Sequence, residues 1–170
     1  MEMNLIPLLL AALVPMVVGF IWYHEKVFGS AWMNSIGMSK DQMNGGNMVL
    51  IFGGSFVASF IISFGLAALV THDSFIAGAL YYETNGAMNP DPASESGKWL
   101  QYYKDHLAAS NHTFKHGFFH GAVLAGIFVI LPTTVTDALF ERRSFKFMAI
   151  RAGYWILTLG LMGGIIAAMS

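Results

Sequence analysis

Four stretches of this chain are apolar on every side of a helix, and short polar stretches separate them. Leu5 to Tyr23 runs for about 19 residues without a charged side chain, the length a helix needs to cross roughly 30 Å of hydrocarbon. Met48 to Val70 does the same over about 23 residues. A third run extends from about Gly117 to Thr136, where Pro132 is expected to bend or end it, and a fourth from about Ile150 to Met169. The pattern predicts an all-α polytopic membrane fold. It is one domain over residues 1–170 with four transmembrane helices, near 5–23, 48–70, 117–136 and 150–169.

The connections have their own periodicity. Val27, Phe28, Ala31, Trp32 and Ile36 recur at three- and four-residue spacing, which predicts a short amphipathic helix lying in the interface, stopped by Gly37. Ser39 to Gly46 reads as a polar turn, and Asp137 to Lys146 as a polar hairpin. The segment 71–115 is the one extended extramembrane loop. There Phe75, Ile76, Ala79, Leu80 and Tyr82 suggest a short helix after the cap candidates Asp73 and Ser74. Asn85-Gly86 and Asn89 to Pro92 are turn signals, and Trp99, Tyr103, His106 and Leu107 suggest one face of a second surface helix.

Small residues recur at four-residue intervals inside the spans: Ser55, Ser59, Ser63 and Ala67 in the second, Gly117, Gly121 and Ala125 in the third, Gly160 and Gly164 in the fourth. Lipid gives helices no hydrophobic reason to associate, so close van der Waals approach over small residues has to supply it. The serines have a second use open to them, bonding their own i−4 carbonyls.

Composition narrows the class. The chain is 55% hydrophobic and 11% charged, with a mean hydropathy of +0.56, whereas soluble domains carry about 25% charged residues. A net charge of −1 offers no basic face for nucleic acid. The absence of cysteine removes disulfides, thiolate catalysis and thiolate metal sites. The leading Met-Glu-Met-Asn has no Lys or Arg, and the first apolar run exceeds the ~7–15 residues of a signal peptide, so it is expected to be a retained span. Of the nine Lys and Arg, six (Lys26, Lys40, Arg142, Arg143, Lys146 and Arg151) lie at the first and third connections. Lys98, Lys104 and Lys115 lie in the long loop. The positive-inside rule then puts both short hairpins inside, and both termini with the 71–115 loop outside.

Both ends of the chain resemble a known family. Asn4, Trp22-Tyr23, Phe28-Gly29, Trp32-Met33 and Gly37 at the start carry the resemblance. So do Leu139-Phe-Glu-Arg-Arg-Ser-Phe-Lys146, Ala152-Gly-Tyr154 and Leu161-Met-Gly163 near the close. They are similar to the bacterial membrane family catalogued as Domain of Unknown Function 1761. The resemblance implies a small four-helix protein of the bacterial inner membrane and assigns no catalytic residue; in such a membrane the outer side, where the cationic count puts the termini and the loop 71–115, is the periplasmic one. The loop, His116 and His120 lie outside the part that carries it.

The third run is the only long apolar one with histidines in its first turns. His116 and His120 are four apart and share a helix face, and His72 closes the second span at the same end. The three could form an axial pair for haem or part of a tri-histidine zinc site, with Asp73 or Asp105 orienting the rings. Against this, His116 and His120 alone supply only two ligands, and interfacial histidines are easily satisfied by water or headgroups. At the opposite end Arg142 and Arg143 could dock a lipid phosphate or a partner, or simply anchor the topology. The central third of every span lacks ionisable side chains, which pumps and ion-coupled carriers need, and no phosphate loop, nucleophile elbow or His-Glu-x-x-His helix is present. The sequence therefore favours a non-enzymatic structural or accessory component. It would need no cofactor, lie among membrane lipids, and self-associate or join a larger membrane complex. The alternatives are a zinc- or haem-binding membrane protein and a binder of a lipid or quinone-like molecule.

Overall fold

A computed structural model describes residues 4–43, 46–86 and 90–170. Among the described residues there is no strand, and four helices are long and apolar enough to cross a membrane: Leu5–Trp22, Met48–Thr71, Phe114–Phe140 and Phe145–Ala168, here spans 1 to 4. Each begins on a polar cap. The side chains of Asn4, Asn47, Thr113 and Ser144 accept from the backbone N–H groups of Ile6, Leu50, His116 and Phe147, satisfying donors that have no intrahelical partner.

Span 4 is the hub, with spans 1, 2 and 3 all packed on it. Half of its most apolar window is buried, against 17% for spans 2 and 3. Met162, Ile166, Val70 and Ala11 form the centre of the core. The outer faces of spans 1 to 3 leave Phe20, Val49, Leu50 and Phe128 exposed, a surface suited to lipid rather than water. Span 1 is tied to span 4 at two levels. The Tyr154 hydroxyl donates to the Pro15 carbonyl at 2.8 Å, and the Trp22 indole N–H donates to the Ile150 carbonyl at 3.1 Å. Pro7 lies in the first turn of span 1, where no N–H is needed, and Pro15 lies inside the helix.

Span 3 is longer than its apolar run. Thr113 caps it before Lys115, and it continues beyond Thr136 to Phe140. From His120 to Ile130 it is π-helical, a wider winding than the α-helix. Pro132 neither ends nor breaks it. The proline falls in the first turn of the α-helical continuation Leu131–Phe140, where its fixed φ and missing N–H are tolerated.

The connections follow the pattern with adjustments. A π-helical turn Glu25–Gly29 leads into the interfacial helix Ser30–Ile36, which stops at Gly37 with φ of 70°. The polar turn predicted over Ser39–Gly46 holds a short helix, Lys40–Met43; residues 44–45 and Asn89 lie outside the described residues. The predicted hairpin 137–146 contracts to the turn between Phe140 and Phe145, because span 3 absorbs Asp137. Short helices Asp73–Ala79 and Glu95–His106 stand in the long loop. Of the four residues expected to share one face of the second, only Tyr103 turns inward. Ser96, Gly97, Leu100 and Tyr103 are buried, while Trp99, His106 and Leu107 are exposed.

Candidate metal centre

The crossing of spans 3 and 4 positions two histidines. A Cβ on Gly117 would fall on the carbonyl oxygen of Gly163, and one on Gly121 on that of Leu159; only glycine permits this approach. With Gly117 and Gly121 pressed on span 4, the neighbouring stripe of span 3 carries His116 and His120 away from that contact. Gly160 and Gly164 face the rings of Phe118 and Phe114. In span 2, Ser59 and Ser63 are buried and Ser55 is exposed; Ser63 donates to the Phe60 carbonyl at 2.7 Å.

His72 enters from the end of span 2. Its backbone is left-handed, with φ of 63°, uncommon for a residue with a side chain and costing of order 1–3 kcal/mol where the surroundings impose it. The reversal ends span 2 and starts the helix Asp73–Ala79.

The three rings converge. His72 Nε2 and His116 Nε2 are 2.9 Å apart. Ring centroids are 4.0 Å apart for His116 and His120, and 5.0 Å for His72 with each of the others. One donor atom from each residue lies within 4.8 Å of the other two. The Nδ1 of His120 is 3.0 Å from the His116 carbonyl oxygen. A carbonyl only accepts, so that bond puts the ring proton on Nδ1 and leaves the Nε2 lone pair free to ligate. All three residues are partly buried. Burial, and then the neighbouring His120 and His112, hold His72 below its usual pKa, with Asp73 opposing.

Beside the cluster Asp73 joins a polar group with Tyr103 and His112. Asp73 Oδ1 accepts from the Tyr103 hydroxyl at 2.9 Å and stands 3.5 Å from His112 Nε2. The same hydroxyl reaches the Thr71 carbonyl at 2.9 Å. Burial pushes the Tyr103 phenol up to about 12, against an opposing contact from Asn111 and with Asp73 adding to the rise, so it stays a proton donor. Asp105 instead accepts from Gln101 at an exposed position. Tyr103 was not among the sequence candidates. The Leu100–Tyr103 pair, three apart and next to the small residues Ser96 and Gly97, is the signal that marks this buried face.

Arg142 and Arg143 lie at the far end. Arg142 has φ of 56°. Its N–H and that of Arg143 return to the carbonyls of Leu139 and Ala138, the bonding of a Schellman turn. Arg143 pairs with Glu141 at 3.2 Å, and its guanidinium lies 5.6 Å from the Phe147 ring, which also carries Arg151 at 5.7 Å.

Fold and site together define an all-α polytopic membrane protein with a three-histidine cluster at one end of its bundle. The family model described as Protein of unknown function (DUF1761) matches residues 6–167, and the chain belongs to that family. No curated protein and no solved structure matches it.

Proposed function

We propose that this protein is a metal-binding membrane protein in which His72, His116 and His120 hold one zinc-like divalent ion. One observation carries the reading: three imidazoles, one from the end of span 2 and two from span 3, bring a donor atom each within 4.8 Å of the others. Zinc takes imidazole nitrogen at about 2.0–2.1 Å, which sets ligand nitrogens of a tetrahedral site about 3.3 Å apart. The His72–His116 separation of 2.9 Å needs to open by only a few tenths of an ångström. Haem fits less well, because a macrocycle has to pass between two opposed axial rings. Here the two nearest nitrogens are in contact and their rings meet edge to face. An all-imidazole donor set favours zinc, copper or nickel over calcium or magnesium. Among the described residues no fourth His, Asp or Glu completes the group, so the remaining position falls to water or an external ligand.

In this reading the protein is an accessory component of an inner membrane, with lipid around spans 1 to 3 and the metal centre on the outer side with the 71–115 loop. The excess of cationic side chains at the opposite end supports that orientation. The test is metal content. Protein dialysed against zinc should retain one ion per chain, and the variant with His116→Gln and His120→Gln should retain none while keeping its helical signal. Equal metal content in the two proteins would reject the proposal.

A further inference from the structure

The structure assigns Tyr103 as a positioning residue for the metal centre, tying the Thr71 carbonyl to the Asp73 side chain on either side of His72 so that its ring stays aimed at His116 and His120. This rests on the reading of the three histidines as ligands. The Tyr103 hydroxyl is 2.9 Å from the carbonyl oxygen of Thr71 and 2.9 Å from Oδ1 of Asp73, the residues immediately before and after His72. It has one proton for two acceptors, so it serves them jointly. Between them His72 holds a left-handed backbone, a conformation that persists only where the surroundings fix it. Tyr103 is 4% exposed and sits on the helix Glu95–His106, well away in sequence from every ligand. The clamp therefore couples an extramembrane helix to a ring at the membrane edge. Coupling of this kind is reciprocal: if a docked helix favours metal, bound metal favours the docked helix.

The test is a double-mutant cycle on the full-length protein, read by cobalt(II) and zinc affinity. Tyr103→Phe keeps the ring and removes only the hydroxyl. It should weaken metal binding about tenfold, as loss of a ligand-orienting partner does, with cobalt absorbance falling as the third nitrogen leaves. In a His72→Asn background, where asparagine tolerates the left-handed backbone but the ligand is gone, Tyr103→Phe should have no further effect on affinity. A purely structural tyrosine would weaken both backgrounds alike, and that outcome overturns the assignment. Tyr102→Phe on the exposed side should change nothing. A second readout uses the wild-type protein alone: zinc should slow tryptic cleavage at Lys98 and Lys104, which are exposed on the same helix, and should not do so in His72→Asn. Cleavage indifferent to zinc in the wild type would also overturn the clamp. If the wild-type chain binds neither metal, the three-histidine reading fails with it. If it binds and Tyr103→Phe binds as tightly, the clamp alone fails.

Discussion

Gly117 of span 3 and Gly163 of span 4 meet backbone to backbone: a Cβ on either glycine would fall on the other's carbonyl oxygen. His116 is the preceding residue, so this crossing sets the height at which its ring leaves the helix. Gly117→Leu cannot be absorbed by a side-chain rotation, because backbone stands in the way. It should destabilise the detergent-solubilised protein by about 1–3 kcal/mol or more and lower its thermal midpoint. Gly65, with nothing within 4 Å of its Cβ position, is the control; Gly65→Ala should melt at or slightly above the wild type. Equal midpoints for Gly117→Leu and wild type would show that spans 3 and 4 do not cross here.

Sequence alone conveyed the number of spans because that property is local: a charge-free run of sufficient length has one use. It conveyed their ends less well. Thr113 caps span 3 before Lys115, and after a π-helical stretch the helix runs on past Pro132 to Phe140; neither feature shows in hydropathy. The pairing of His116 with His120 is a matter of spacing and was legible. The arrival of His72 depends on one left-handed residue and on the path of a long loop, so adjacency to the end of span 2 could suggest it but not fix it. Periodicity groups Tyr103 with Trp99, His106 and Leu107 on one face of its helix, and alone it gives Tyr103 no role at the site. Which face docks is decided by tertiary contacts, here with Thr71 and Asp73.

The proposed orientation rests on the distribution of cationic side chains. Cysteine introduced at Ser39, within the first connection, should be protected from a membrane-impermeant thiol reagent in intact cells. Cysteine at Glu83, exposed in the long loop, should react at once. The chain has no native cysteine to confuse the labelling. The opposite pattern would place the histidine cluster on the inner side.

His72 resists protonation in the fold, through burial first and then through His120 and His112. The unfolded chain therefore takes up a proton more readily there than the folded one. The metal-free fold should keep the full contribution above the ordinary value of 6.5 and lose stability as pH falls below it through the lowered value. Thermal melts of metal-free protein between about pH 7 and about pH 5 should fall more steeply for the wild type than for His72→Asn. Parallel curves would show that His72 titrates as it does in water.

The most direct test of the metal centre is X-ray absorption at the zinc edge of the loaded, detergent-solubilised protein. The account predicts a first shell of nitrogen or oxygen at about 2.0–2.1 Å, with the outer-shell scattering of three imidazoles and of two when His72 is replaced by asparagine. A first shell with no imidazole contribution, or one unchanged by the loss of His72, would contradict it.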